Sequence, residues 1–443
     1  MRAAWRASSP GERLVFAAIV SILALLHAYR FDRLDFADDA YFATALDQAS
    51  LFGFLRERYL SWSGRLPIDA LAALLLDHVW VWRVLNFAMV LAFCANVARL
   101  GFGAGGKAPG AIACVLGLWL LFPLALLQDA AWWVTGSFNY LWPATAGLVA
   151  VRAMFERHRR TTVDWALIAC AGGFAAYSEQ VAIVLLGLGV PRWWQLWRSG
   201  RFGPGDAALC GAISVNAAIN LLAPGAQVRF SAETVRWYPD YDLLDVIDKL
   251  HLALGLVGTT LGRTDHLAAA VLVAVAGVLV WHARVARGVR IALLGGLGFL
   301  ALAHLAPFAL PPGTGLLHRL TVVAVTAANG AASSPMIVLA LALFGGACVV
   351  AGTFVAVRER SLREAAWLAH GLLVGWASLA AVAFSPTVYA SGERTRFVAC
   401  AVMLVVTCRL IAHARDRFPG AAWHWAAVPL AGAVVFLRLV EIA

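Results

Sequence analysis

Long apolar segments recur along the whole of this chain and restrict what it can fold into more than any other feature does. A helix needs about 20 apolar residues to cross the hydrocarbon core of a bilayer. The candidate segments cover approximately 14–30, 79–98, 109–127, 138–153, 163–177, 179–191, 206–222, 266–283, 291–310, 335–357, 366–385, 396–412 and 422–440. We therefore predict an all-α polytopic membrane protein with about 11–13 transmembrane helices.

The composition supports the same class and argues against others. Of the 443 residues, 62% are hydrophobic and 14% are charged. A soluble domain is usually about half apolar and a quarter charged, so lipid must cover much of this chain. The net charge of +10 is spread between apolar runs instead of being clustered with aromatic residues on a soluble face. We therefore expect a lipid bilayer as a partner and no nucleic acid.

Basic residues alternate between successive loops, which predicts the topology. Positively charged loops face the cytoplasm. That set contains 2–13, 99–107, 152–160, 192–201, 284–290, 358–363 and 409–417. The other set then faces outward and contains 31–78, 128–137, the turn near Glu179, 223–265, 311–334 and 386–395. We predict one domain, 1–443, with function at the outer face, where the acidic residues and the unusual motifs lie.

The first outer loop, 31–78, contains apolar segments too short or too polar to span a bilayer. Residues 40–60 place four residues on one stripe, namely Phe42, Leu46, Ala49 and Gly53. Residues 66–80 form a short apolar segment bounded by Asp69 and Asp77. We predict helices that lie in the membrane interface. A third candidate of this kind is 242–261.

The sequence FADDAYF places two adjacent carboxylates, Asp38 and Asp39, just after the first apolar run. One acidic residue is explained as an N-cap in the favourable first turn of a helix, but the second is not. Repulsion between the two could raise one pKa and suit proton abstraction. The pair could instead bind a divalent metal, Mg²⁺ or Mn²⁺, through oxygen ligands.

The aromatic segment DAAWWVTGSFNYLWP (129–143) differs from a lipid-facing helix. Trp133, Asn139 and Tyr140 lie in a mixture of indole, hydroxyl and amide groups. An interfacial aromatic belt accounts for such a segment. A sugar-binding surface accounts for it too, because binding pockets combine apolar walls with a few polar groups.

Several charged groups occur at the outer ends of apolar segments. A guanidinium there can bind phosphate in a bidentate manner, although an interfacial anchor beside an aromatic belt explains a single arginine equally well. Glu179 separates two apolar runs and is expected to cap a hairpin that faces the outer cavity. The candidate anion-binding and outer-loop residues are Arg65, Arg229, Arg394, Arg396 and His318.

The order of these motifs resembles a known superfamily. Taken together, the motifs are similar to those of the GT-C membrane glycosyltransferases. In chain order they are an acidic pair after the first span, W-S-G-R (62–65), GSFNYLWP (136–143), a span-end Glu179 and APG-x-x-x-R (223–229). Within that superfamily, the motif order is similar to a bacterial branch related to O-antigen and cell-wall glycan glucosyltransferases. One departure is Ala226, where that branch often has Asn. The likeness extends over about 30–397.

The resemblance implies a function and a location. It implies transfer of a sugar from a polyprenyl-phosphate-linked donor to a cell-envelope glycan or lipid acceptor, with inversion, at the periplasmic face of a bacterial inner membrane. Asp39 or Asp38 would be the general base, Arg65, Arg229, Arg394 and Arg396 would bind the phosphate, and Trp133, Asn139, Tyr140, Glu179 and His318 would bind sugar or acceptor. A lipid-linked glycan transporter or flippase, and a non-catalytic assembly subunit, are the alternatives.

Overall fold

The computed structural model describes residues 10–29, 37–47, 49–262, 265–309 and 341–419. Within these ranges the protein is all helical and contains no strand, which confirms the predicted fold class. The helices are α1 Pro10–Tyr29, α2 Asp39–Ala43, α3 Leu51–Ser61, α4 Leu66–Leu75, α5 Val79–Phe102, α6 Pro109–Leu120, α7 Leu124–Leu127, α8 Val134–Asn139, α9 Leu141–Phe155, α10 Thr162–Ala175, α11 Glu179–Arg198, α12 Pro204–Leu221, α13 Pro224–Trp237, α14 Val246–Gly262, α15 Leu267–Trp281, α16 Arg287–Ala309, α17 Gly346–Arg358, α18 Leu362–Ala380 and α19 Phe397–Arg417.

The described helices include several that are long and apolar enough to cross a membrane. Three qualify alone, Leu66–Lys107, Leu362–Phe384 and Glu393–Arg417, and up to six qualify if each sharply bent pair forms one span. The bent pairs include α6 with α7 and α12 with α13, which deviate by 109° and 47°. A multi-pass membrane protein is therefore supported. The larger count of 11–13 spans stays a prediction, since the candidate at 422–440 and the first residues of that at 335–357 lie outside the described residues.

Local sequence explains where many of these helices begin. Proline occupies the first turn of α6, α12 and α13, where its missing N–H removes no helical hydrogen bond. Helix α10 begins with a capping box, because Thr161 and Asp164 exchange side-chain and backbone hydrogen bonds. Such signals fix the helix starts without help from distant residues.

The interfacial segment 40–60 is less regular than its sequence predicted. Two helices, α2 and α3, replace a single one, and Ser50 caps α3 by accepting a hydrogen bond from the Gly53 amide. A cap of this kind starts a new helix. Phe42 and Leu46 therefore do not share one helical stripe with Gly53. The next segment forms α4 and a 3₁₀ turn, Leu76–His78, that leads into α5.

The core consists of two apolar clusters that α19 connects. One cluster centres on α5, α6, α9 and α11, and the other on α14 to α18. Helix α19 packs against α5 on one side and against α15 and α18 on the other, and most of its apolar window is buried. This central helix holds the two halves of the described bundle together.

The helices α5, α11 and α19 run between two chemically different ends of the bundle. We call residues 37–78, 128–140, 176–180, 222–245 and 385–396 the Asp39 end. We call residues 99–108, 156–161, 192–206, 282–290, 357–363 and 409–417 the basic end. Helix α11 begins with Glu179 at the former and finishes with Arg198 at the latter. Its 20 residues separate the ends by about 30 Å.

Contacts between loops support this division. At the basic end, Arg99 donates to Glu156 at 2.8 Å and Arg157 donates to Asp206 at 2.7 Å. Arg409 also pairs with Glu364 there. The loops predicted to share one membrane face because of their positive charge therefore contact one another.

Candidate functional site

The two neighbouring carboxylates of the first outer loop have different environments. Asp38 is exposed, and as the residue before α2 it makes no side-chain cap. Asp39, by contrast, is only 1% exposed. Its Oδ1 accepts a hydrogen bond of 2.9 Å from the Trp133 indole and one of 2.5 Å from the Thr135 hydroxyl. These donors hold the carboxylate in a fixed orientation.

Arg65 forms the second part of the site. Its Nε and Nη2 donate to the two oxygens of Glu179 at 3.1 and 2.7 Å, and its Nη1 donates to Asn139 at 2.9 Å. The Arg65 and Glu179 side chains are 24% and 38% exposed. This bidentate geometry holds the guanidinium rigidly at the edge of the bundle.

Helix α8 links these two parts into one network. Thr135 donates its hydroxyl to Asp39, and its carbonyl accepts a hydrogen bond of 2.9 Å from the Asn139 side chain. Asn139 in turn accepts from Arg65. Four predicted residues, Asp39, Arg65, Asn139 and Glu179, therefore lie in one continuous hydrogen-bonded chain.

Buried polar contacts and a glycine determine the position of α8. Trp82 donates to Ser137 at 2.9 Å, and Asn86 donates to the Ala131 carbonyl at 2.8 Å. A Cβ at Gly136 would overlap the Asp129 carbonyl, so only glycine allows the preceding π-helical turn to pack this closely. The fixed helix presents Thr135 and Asn139 on one face, four residues apart.

A second close approach brings Arg65 to its partners. A Cβ at Gly64 would overlap backbone atoms of Asn220 at the end of α12, and a Cβ at Gly225 would overlap the Trp62 amide. Asn220 also donates to the Tyr177 carbonyl at 3.1 Å, next to Glu179. The glycine in W-S-G-R thus allows the loop before α4 to sit on the break between α12 and α13.

The remaining arginines of the Asp39 end differ in their partners. Arg394 places its guanidinium carbon 5.0 Å from the centre of a Trp133 ring, and no carboxylate among the described residues forms an ion pair with it. Arg229 pairs with Glu233 at 3.3 Å and is close enough to Glu179 to attract it. Arg396 pairs with Glu393 and donates to Thr259 on α14 at 3.1 Å. Of these three arginines, Arg394 contacts Trp133 of the Asp39 network, and Arg396 contacts α14.

The predicted sugar-binding residues divide into buried and half-buried members. Trp133 is 2% exposed, so in the structure it holds Asp39 and lies beside Arg394 without offering an open ring face. Asn139 and Tyr140 are half-buried, and Tyr140 is close enough to Arg65 to interact electrostatically. His318 lies outside the described residues. Direct contact of these residues with sugar stays a prediction.

The predicted metal pair is Asp38 and Asp39. Within the described ranges, no group of three or more His, Cys, Asp or Glu side chains is gathered to hold a metal ion. Asp39 is buried with its Oδ1 bound by two donors, whereas Asp38 is exposed. The Mg²⁺ or Mn²⁺ hypothesis stays a prediction.

Sequence reasoning missed Thr135 as a site residue and missed the role of Gly64 and Gly225. The spacing of Thr135 and Asn139, one helical turn apart, was the available signal for the first. No local signal reports that a glycine contacts a distant backbone.

Comparisons with protein-family models, curated proteins and solved structures gave no match.

Proposed function

We propose that this protein is a membrane-embedded glycosyltransferase that moves a sugar from a polyprenyl-phosphate-linked donor to a hydroxyl of a cell-envelope glycan or lipid. One observation carries the proposal: the buried Asp39 carboxylate is joined through Thr135 and Asn139 to the Arg65–Glu179 pair. A carboxylate that can accept a proton and guanidinium groups that can bind phosphate then share one end of the bundle. The resemblance of the motif order to GT-C enzymes supports the same reaction.

In the proposed reaction, Asp39 accepts the proton of the acceptor hydroxyl while that oxygen bonds to the anomeric carbon. The bond from this carbon to the phosphate oxygen breaks, its electron pair stays on the polyprenyl phosphate, and the configuration inverts. Arg394 stabilises the charge that develops on the phosphate. It lies beside Trp133 and forms no ion pair with a carboxylate in the described part of the chain. Arg65 and Arg229 line the same end.

The membrane orientation in this proposal follows from the basic end. Loops rich in arginine stay in the cytoplasm, so the Asp39 end faces outward, which in a bacterial inner membrane is the periplasm. The donor then keeps its polyprenyl tail in lipid and its phosphate at the Asp39 end. This places transfer on the side where cell-envelope glycans are modified.

The test uses the full-length protein reconstituted with a lipid-linked sugar and an acceptor glycan. Asp39→Asn keeps the shape of the side chain but removes a base, and we expect turnover to fall by about 100-fold or more. Asp38→Asn is the matched control, and because Asp38 is exposed we expect less than about a threefold change.

Two results would overturn the proposal. Full turnover by Asp39→Asn would show that Asp39 is not the base. Movement of labelled lipid-linked sugar across the proteoliposome membrane without any transferred product would instead favour the transporter. Matched elution profiles of both variants in size-exclusion chromatography establish that a loss of turnover is not a loss of fold.

A further inference from the structure

The basic end contains a large cavity that the proposed reaction does not use. It has a volume of about 840 Å³ and lies among α5, α9, α11, α18 and α19. The cavity wall follows α11 from Val181, two residues after Glu179, to Arg192, so its apolar part reaches towards the Asp39 end. All Arg and Lys side chains of the wall belong to the basic end, and neither Asp39, Arg65 nor Glu179 lines the cavity. The charged part of the cavity is therefore distinct from the candidate site around Asp39.

The wall of this cavity changes from apolar to charged. Its apolar part includes Val151, Leu185, Val402 and Val405. Gly371, on α18, is buried in the wall, and a Cβ added there would meet no atom within 4 Å. A buried glycine that faces empty space indicates room for an apolar group. Such a space gains stability when a hydrocarbon chain fills it.

The charged part has an excess of cations. Seven Arg and Lys side chains, His158 and two carboxylates line the cavity; the cations are Arg99, Lys107, Arg157, Arg192, Arg201, Arg363 and Arg409. The two carboxylates, Glu156 and Glu364, already have arginine partners.

The charge of Glu156 is already balanced by its arginine partners. Burial alone would raise the pKa of Glu156, but the hydrogen bond and charge of Arg152, with the charge of Arg99, outweigh burial and lower that pKa below its usual value. Glu156 is therefore a carboxylate anion held by two arginines. It is not available to neutralise the rest of the cavity.

Several of the cations are not ion-paired within the part of the chain that the structure describes. No carboxylate in the described ranges forms an ion pair with Lys107, Arg201 or Arg363, although Arg363 donates to the Gln195 amide oxygen at 2.7 Å. Arg192 is repelled by Arg363, Arg157 and Arg201. A cluster of repelling cations at the edge of an apolar cavity is complementary to an anion that carries an apolar chain.

We propose that this cavity binds an anionic phospholipid of the cytoplasmic leaflet, with its phosphate headgroup among Arg201, Arg363 and Lys107 and an acyl chain along Gly371 and Val402. A free phosphate would use the cations but leave the apolar wall empty. Basic pockets between helices on the cytoplasmic side are suited to anionic headgroups. The proposal does not depend on glycosyl transfer, so either can fail without the other.

The experiment measures retained lipid on the purified full-length protein by native mass spectrometry. The protein is exchanged into detergent with equal amounts of phosphatidylglycerol and phosphatidylcholine. We expect preferential retention of phosphatidylglycerol. Arg201→Gln combined with Arg363→Gln should weaken that retention by about tenfold or more, because each lost charge near a membrane surface removes about 1 kcal/mol of attraction and 1.4 kcal/mol is tenfold.

A second variant tests the apolar part independently of charge. Gly371→Leu places a side chain into the cavity and should reduce phosphatidylglycerol retention by about tenfold. Gly277→Leu is the matched control, since Gly277 is also a mid-helix glycine with open space around it but does not line the cavity. This control should retain lipid like the unaltered protein.

Three results would overturn the proposal. Equal retention of the two lipids would show that charge does not select the lipid. Unchanged retention of phosphatidylglycerol by Gly371→Leu would show that the lipid does not occupy the cavity. Displacement of the lipid by an excess of inorganic phosphate alone would show an anion site without lipid specificity. Elution profiles that match the unaltered protein in size-exclusion chromatography establish that the variants remain folded.

Discussion

The two ends of the bundle use arginine in opposite ways. At the Asp39 end, Arg65 makes three hydrogen bonds to Glu179 and Asn139 and has a fixed geometry. At the basic end, Arg201 has no ion-paired carboxylate within the described residues, and Arg192 is repelled by its neighbours. A fixed guanidinium can recognise one anion in one orientation, whereas an excess of cations sets membrane orientation and attracts anionic headgroups.

The difference shows that a count of charges does not identify the end that contains the buried, hydrogen-bonded carboxylate. The basic end has more cations, yet most of its ion pairs join loops to each other. The Asp39 end has fewer charges, but its buried carboxylate and its arginine are connected through one short helix, α8. Mutations that act on only one end can sharpen this comparison.

The largest effect is expected for Gly64→Ala, which acts on the Asp39 end alone. The new Cβ would overlap backbone atoms of Asn220, which cannot move as a flexible side chain can. We expect the free energy of unfolding, measured by SDS titration in mixed micelles, to fall by more than about 3 kcal/mol. Gly277→Ala is the control and should be neutral or slightly stabilising, because its Cβ meets no atom.

At the basic end, Arg157→Gln is expected to cost about 3 kcal/mol of unfolding free energy. Arg157 makes two hydrogen bonds to Asp206, which is 2% exposed, so its loss leaves a buried carboxylate without a cation. Lys107→Gln is the matched control, since Lys107 is exposed, and should change stability by less than about 0.5 kcal/mol. Equal effects of the two variants in the same titration would contradict the contrast between paired and unpaired cations.

Glu179→Gln is expected to destabilise by about 2 kcal/mol, less than Arg157→Gln because the Arg65–Glu179 pair is partly exposed and water screens it. The double variant Arg65→Gln, Glu179→Gln should cost less than the sum of the two single variants. A double-mutant cycle on thermal unfolding measures this coupling. Strict additivity would show that the pair does not act as a unit.

The smallest effect is expected for Thr135→Val, about 1.5 kcal/mol, since it removes one hydrogen bond to a buried carboxylate while keeping the shape of the side chain. Thr135→Ser keeps the hydroxyl and should retain most of the stability. Denaturant titration of both variants tests this. If the Ser and Val variants lose the same amount, packing and not the hydrogen bond explains the effect.

The sequence predicted a good part of the candidate site. It placed Asp39, Arg65 and Glu179 in loops of one face and Asn139 at the adjoining end of the span 138–153, because alternating positive charge divides the loops into two sets. It could not distinguish Asp38 from Asp39, since the two have the same local neighbours. The donors that distinguish them, Trp133 and Thr135, are 94 and 96 residues further along the chain.

The sequence by itself determined the helical class, the membrane environment and the starts of helices at prolines and capping residues, because hydropathy and local hydrogen bonding act over a few residues. Only the tertiary structure decided which acid is buried, which arginine is fixed and which glycines must remain small. Those properties depend on contacts between distant segments, such as Gly64 with Asn220 and α8 with α2. The cavity at the basic end belongs to the same group, since five helices enclose a space that no single one of them encodes.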